Sequence, residues 1–230
     1  MSEQAPELQI LVVEDESSVG EVVRDVASGL GYVTHVVTTA EAALDALKRN
    51  SFDIALVDLW LPRMSSLDFL RTDMVRNRGL YVIGLSGVPT PDTEIRAALQ
   101  LGAADILKKP LSAALVRDVL CYLLGSTRML DHRRSPRLPH VTPVQIAEFD
   151  QPAWEGSSID LSVFGVRLHA DRPHVPGRVV KVAFTPPDGD RALELFALPV
   201  WNDGENYAFR FTNLSATEHE RLHHVVAQAA

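Results

Sequence analysis

The chain has 230 residues, 46% of them hydrophobic and 23% charged, with a net charge of −8 at neutral pH. That is the balance of a folded globular protein long enough for two domains, each with its own core. The acidic excess argues against wholesale binding to nucleic acid or to an anionic membrane, and no apolar stretch reaches the ~20 residues that a bilayer span needs.

Residues 1–7, MSEQAPE, lack a basic segment followed by an apolar one, so no signal peptide is expected. From there to about residue 125, short apolar runs alternate with amphipathic segments. LQILVV (8–13), YVTHVV (32–37), FDIALV (52–57), LYVIGL (80–85) and ADILK (104–108) read as strands. Between them SVGEVVRDVASGL, AEAALDALKRN, SLDFLRTDMVRN and DTEIRAALQL have helical spacing, and LSAALVRDVLCYLL closes the series as a last helix with Ser112 as its N-cap. Gly31, Gly79 and Gly102 stand where left-handed cap residues are wanted. Five strand–helix units predict an α/β doubly wound, five-stranded parallel sheet with helices on both faces. Cys121, the one cysteine, lies in the last of these helices and is predicted to be core; without a second cysteine there is no internal disulfide, which suits a reducing cytoplasm.

In such a sheet, chemistry gathers at the carboxyl ends of the strands. Glu14 and Asp15 follow the first, Asp58 the third, Ser86 the fourth and Lys109 the fifth. Converging carboxylates repel one another and resist joint ionisation. A hard cation such as Mg²⁺ removes the conflict, and a hydroxyl with an ammonium opposite completes a pocket for a phosphoryl group. The pattern fits phosphoryl transfer onto a carboxylate.

ILVVEDE, LVDLWLPRMSSLDFL, GLSG and ILKKPL, in this order and spacing, resemble the receiver domain of two-component response regulators across residues ~7–125. The resemblance implies a flavodoxin-like fold with Asp58 as phosphoacceptor. Glu14, Asp15, Asp58 and the Trp60 carbonyl would be metal ligands, Ser86 the switch hydroxyl and Lys109 the phosphate-pairing lysine before a cis Pro110. It also implies a sensor histidine kinase or phosphotransfer protein as partner. Two positions depart from the family: Ile106 stands where a switch aromatic is usual, and Ser66 where a glycine is often found.

Beyond Gly125 the period changes. Nine of the 14 prolines lie past residue 130, and residues 128–137 hold four arginines against one aspartate. SIDLSVFGVRLHA reads as two strands joined by a turn; RVVKVAF (178–184), ALELFAL (192–198) and YAFRF (207–211) alternate. SATEHERLHHVVAQ reads as a helix opened by a capping box at Ser215 and Glu218. The prediction is a small antiparallel β-barrel or sandwich with a C-terminal helix. The boundaries are 1–125, a linker at 126–140 and a β domain at 141–230. Trp154 and Trp201 are assigned to its core, and His219, His223 and His224 to its surface.

Arg133, Arg134 and Arg137 form a fork of guanidinium groups, and DLSVFG downstream supplies Asp160, Ser162 and Gly165. Guanidinium groups pair with phosphate or guanine, a carboxylate accepts from guanine's N1–H and amino group, and glycine allows the positive φ of a tight turn. Arg-x-x-x-Arg followed by Asp-x-Ser-x-x-Gly resembles the PilZ family across ~128–230, which implies binding of cyclic di-GMP. PVWNDGENYAFRFTNLS is similar to that family's later strands, with Ala208 where a glycine is frequent. Pro136 and Pro139 keep the arginine segment from becoming helix, so the arginines are expected to be mobile without ligand and to close over it on binding.

The combined expectation is a cytoplasmic response regulator that is not an enzyme. It would take phosphate on Asp58, bind Mg²⁺ and cyclic di-GMP, and act by contact with a downstream target protein, without DNA binding or membrane insertion. An aspartyl-phosphate phosphatase would want a second acid at Trp60, and no helix-turn-helix is visible for a DNA-binding reading. The alternative is a degenerate receiver–PilZ adaptor that binds partner proteins without phosphate or nucleotide.

Overall fold

A computed structural model describes residues 8–61, 64–72, 75, 80–87, 90–127, 136–149, 152–170 and 179–228. The chain divides into two compact units, Met1–Cys121 and Tyr122–Ala230.

In the first unit β1 (Gln9–Val13), β2 (Val33–Val37), β3 (Ile54–Asp58), β4 (Tyr81–Ser86) and β5 (Asp105–Lys108) form a parallel sheet in the order β2-β1-β3-β4-β5. Helices α1 (Ser17–Gly29), α2 (Ala40–Arg49), α3 (Ser66–Arg71) and α4 (Asp92–Gln100) make the crossovers, and α5 (Ala113–Thr127) follows β5. Strands β1 and β3 are apolar because both their faces are covered, and every residue of β3 is buried. The order reverses between β1 and β3, which opens a crevice at their carboxyl ends. Helix ends follow local chemistry: Thr39 and Ser65 cap α2 and α3, and Ser112 Oγ accepts from the Leu115 N–H at 3.2 Å. Gly31 and Gly102 adopt the left-handed conformation expected of them, with φ of 78° and 103°; Gly79 lies outside the described residues. Helix α3 is shorter than its apolar spacing predicts. It stops at Arg71, where Thr72 turns extended and its hydroxyl caps the Phe69 carbonyl at 2.8 Å.

Strands β7 (Pro143–Ala147), β8 (Trp154–Ser162), β9 (Gly165–His169), β10 (Val180–Phe184), β11 (Leu193–Asn202) and β12 (Asn206–Thr212) close a six-stranded antiparallel barrel in the second unit. The two-residue β6 (Leu138–Pro139) adds to β8, and α6 (Ala216–Ala227) opens on the full Ser215–Glu218 capping box. Alternation sends Val144, Ile146, Val180, Val182, Leu195, Phe209 and Phe211 inward. Aromatic rings meet there, with Phe184 stacked on Phe211 at 5.7 Å and Trp154 edge-on to Tyr207 at 5.9 Å.

Three sequence assignments are corrected. Cys121 is exposed, because the buried stripe of α5 runs through Leu115, Val116, Val119, Leu120 and Leu123 and passes it by. His219 is buried, one and two turns from Leu222 and Val226 on the inward face of α6, whereas His223 and His224 are exposed. Trp201 is 51% exposed because a bulge between Pro199 and Trp201 shifts the side-chain parity of β11.

Gly165 is also corrected. It is not among the positive-φ glycines of the described residues. Its need is space: a Cβ there would lie 2.3 Å from the Phe209 carbonyl oxygen of β12. Gly165→Ala is therefore expected to destabilise the barrel by at least about 2 kcal/mol through forced separation of β9 and β12. A urea titration checks this; an unchanged midpoint would show that the strands part at no penalty.

Candidate functional site

Glu14 follows β1, Asp58 ends β3, Ser86 ends β4 and Lys109 follows β5, so the parallel sheet brings all four to one edge. Carboxylate oxygens of Glu14, Asp15 and Asp58 lie within 4.8 Å of one another, the first and last buried and Asp15 exposed. The Glu14 N–H donates to the Val37 carbonyl at 2.9 Å, which continues the β1–β2 ladder into the site. Lys109 Nζ stands between the buried acids, 2.7 Å from Asp58 Oδ2 and 2.5 Å from Glu14 Oε2. The backbone of Lys109 donates to the Ser86 carbonyl at 2.8 Å, and the Lys109–Pro110 peptide is cis.

Asp58 Oδ1 accepts from the Trp60 N–H at 2.9 Å, and Trp60 is 58% exposed. Ser86 is buried with its Oγ 3.4 Å from the Leu107 carbonyl oxygen. Ser66, noted in the sequence only as a departure, is a structural tie: its buried hydroxyl donates to the Leu59 carbonyl at 2.8 Å and anchors the segment after Asp58 to the start of α3. Ile106 is fully buried opposite Gly84 of β4, so an aliphatic side chain fills the place of the usual aromatic.

The electrostatics follow from this crowding. Burial pushes the Glu14 carboxyl up to about 7; Lys109 opposes the shift and the charge of Asp58 adds to it. Burial disfavours the Lys109 ammonium, yet Asp58 and Glu14 together hold it above its ordinary value. Glu14 Oε2 is buried and ion-paired with Lys109 but has no well-directed hydrogen bond. Three oxygen donors, one of them under-satisfied, fit a hard divalent cation of the Mg²⁺ kind.

In the second unit the two-residue turn between β8 and β9 sets Ser162 opposite Gly165, Leu161 opposite Val166 and Asp160 opposite Arg167. Ser162 Oγ donates to the Gly165 carbonyl at 3.1 Å. Asp160 is buried. Its Oδ1 accepts from Arg137 Nη1 at 2.8 Å, and its Oδ2 accepts from Arg167 Nε at 2.7 Å and from Arg167 Nη2. The pairing of Pro139 with Asp160 brings Arg137 into reach. Arg137 is thus paired with Asp160; Arg133 and Arg134 lie outside the described residues. Burial works to raise the Asp160 carboxyl, but the Arg167 and Arg137 guanidinium groups prevail and hold it below the usual carboxylate range. Arg167 was not singled out from the sequence, although a two-residue hairpin turn places it opposite Asp160 by counting. The cross-strand row continues through Ala208 of β12 to Trp201 of β11.

Residues 10–120 match the family model of the response regulator receiver domain, and residues 131–228 that of the PilZ domain. The chain is 32% identical over 173 residues to the sensory/regulatory protein RpfC of Xanthomonas campestris pv. campestris, covering 73% of this chain and 23% of that protein. It is 32% identical over 132 residues to the response regulator RppA of Synechocystis, covering 56% of this chain and 53% of that one. The chain therefore spans under a quarter of the first relative and about half of the second. A CheY-like receiver domain protein from Methanospirillum hungatei superposes with a TM-score of 0.50 at 22% identity, over 54% of this chain and 98% of that one, which shows the same fold.

The raised Glu14 carboxyl has a stability consequence. Its folded value of about 7 exceeds its ordinary 4.5, so its contribution is fully present below pH 4.5 and is lost as pH rises through 7. Glu14→Gln in Mg²⁺-free buffer is expected to raise the melting temperature by several degrees at pH 8, equivalent to at most about 3 kcal/mol, and by much less at pH 5. Thermal denaturation at the two pH values tests this; a variant less stable than wild type at pH 8 would mean that the Lys109 pairing outweighs burial.

Proposed function

Because the chain joins a response regulator receiver domain to a PilZ domain, we propose that it is a cytoplasmic two-component response regulator. Its first domain takes a phosphoryl group on Asp58 from a sensor histidine kinase or phosphotransfer protein. Its second domain binds cyclic di-GMP, and the output passes by contact with a downstream target protein. The observation that carries this reading is the cluster of Glu14, Asp15 and Asp58 within 4.8 Å, with Lys109 on Asp58. A fold that needed only a capped strand end would have no reason to bury two acids there.

Each residue then has a part. One Asp58 carboxylate oxygen attacks phosphorus, and the bond from phosphorus to the donor breaks as the new acyl phosphate bond forms. The Trp60 N–H keeps the carboxylate oriented through Oδ1. Lys109 pairs with the incoming phosphoryl oxygens as it pairs now with Oδ2, and the Ser86 hydroxyl completes the cradle. Mg²⁺ held by Glu14, Asp15, Asp58 and the Trp60 carbonyl would neutralise charge on the transferring group. With Ile106 in place of an aromatic, the response to phosphate runs through Ser86 and Lys109 rather than through a moving ring.

In the second domain Arg133, Arg134 and Arg137 meet phosphate and guanine, Asp160 accepts from guanine, and Ser162 and Gly165 hold the turn that presents Asp160.

Incubation with acetyl phosphate and Mg²⁺ is expected to add one phosphoryl group by mass, and Asp58→Asn to abolish it. Persistent label in that variant, or none in wild type, overturns the receiver reading. Calorimetry with cyclic di-GMP tests the other half. Arg137→Ala is expected to weaken cyclic di-GMP and cyclic di-AMP alike by about ten- to a hundredfold. Asp160→Ala is expected to erode the preference for guanine, and equal loss for both nucleotides would contradict its assigned role.

A further inference from the structure

Asp160 is a buried carboxylate with both oxygens taken by guanidinium groups, but the two arginines are built in differently. Arg137 immediately precedes β6, a strand of two residues that pairs only with Leu161 and Asp160. Arg167 sits in the middle of β9, in register with Asp160 on one side and with Ala208 of β12 on the other. It meets Asp160 Oδ2 with two nitrogens, Nε and Nη2, whereas Arg137 meets Oδ1 with one. Arg167 is thus tied to Asp160 by more hydrogen bonds and from a longer strand than Arg137 is.

We propose that Arg167 is a positioning residue that sets the nucleotide specificity of the PilZ domain by holding Asp160 ionised and aimed while Arg137 is handed over to the ligand. This rests on the reading that the domain binds cyclic di-GMP. Asp160 Oδ1, the oxygen that would accept from guanine, accepts from Arg137 Nη1. A phosphate arriving at Arg137 competes with Oδ1 for that guanidinium, because a guanidinium pairs with phosphate as it does with carboxylate. When Arg137 turns to the phosphate, Oδ1 is uncovered for the N1–H and amino group of guanine. A buried carboxylate that lost its only cation at that moment would be strongly disfavoured. Arg167 on Oδ2 removes that penalty and keeps Oδ1 in one direction. Adenine has no N1–H and presents N1 as an acceptor, so it can give Oδ1 one hydrogen bond where guanine gives two.

Selectivity is therefore the decisive readout. Calorimetry of the full chain with cyclic di-GMP and with cyclic di-AMP is made on wild type, Arg167→Ala and Arg167→Lys, each first shown to be folded by circular dichroism and melting temperature. Arg167→Ala is expected to lose about ten- to a hundredfold in affinity for cyclic di-GMP and less than about threefold for cyclic di-AMP, the size of one charge-assisted hydrogen bond. Arg167→Lys, which keeps a charge but not the fork, is expected to recover part of the preference. Three results overturn the proposal: unchanged affinity in folded Arg167→Ala, equal loss for both nucleotides, or a Lys variant with no more preference than Ala. If Arg167→Ala does not fold, the Lys variant alone decides: a preference below that of wild type but not abolished, with intact binding of cyclic di-AMP, supports the assignment, and either wild-type preference or its complete loss refutes it. Wild type that binds neither nucleotide overturns the underlying reading, and this assignment with it.

Discussion

Buried carboxylates need a fixed cation, and that requirement organises both halves of this protein. Glu14 and Asp58 are drawn from water by the close packing of β1 and β3, where two like charges repel strongly in a poorly solvated crevice. One ammonium, Lys109, stands between them at 2.5 and 2.7 Å. It can do so because β5 ends beside β4 and the Lys109 N–H continues the ladder onto the Ser86 carbonyl. The order of the strands is what makes the cluster possible, and the cluster makes the sheet's carboxyl edge a place for charge to be exchanged.

The barrel meets the same demand with a different cation. Arg167 and Arg137 give Asp160 planar forks instead of a point charge, so each oxygen has its own direction. In the first unit the ammonium is shared and the acids compete for it. In the second the acid is shared and the guanidinium groups compete. Burial leaves Glu14 raised to about 7 despite the shared lysine, whereas the two guanidinium groups overcome burial and hold Asp160 below the usual carboxylate range. Under the proposed function the first kind of group would respond to added positive charge and the second to an anion that draws off one arginine.

Most of the architecture was legible in the sequence because it is written in period. Five apolar runs separated by helical spacing admit few arrangements other than a parallel sheet, and the acids at strand ends follow by position. The barrel was legible as β structure from alternation and as a hairpin from DLSVFG. The misreadings lie where a single residue changes the count. Local alternation points Trp201 inward, and the bulge at Pro199 reverses its parity. Gly165 seemed a turn residue, but its role depends on the Phe209 carbonyl, more than forty positions away and invisible to local reasoning. Arg167 is a different case: its partner follows from counting across a two-residue turn, and the motif reading stopped at Gly165. His219 was likewise countable, lying three and seven residues before Leu222 and Val226.

The placing of the three tryptophans carries a spectroscopic consequence. Trp154 is enclosed in the barrel with its Nε1–H on Glu148 Oε1 at 2.9 Å, while Trp60 and Trp201 are more than half exposed. Trp60 is two residues from Asp58, and Trp201 stands in the cross-strand row of Asp160 and Arg167. An enclosed indole emits in the blue and resists aqueous quenchers, whereas open indoles emit to the red and are quenched readily. The protein thus carries one open indole two residues from Asp58 and another in the cross-strand row of Asp160, with an internal reference between them in sequence, and replacing either open tryptophan with phenylalanine separates their signals without a dye.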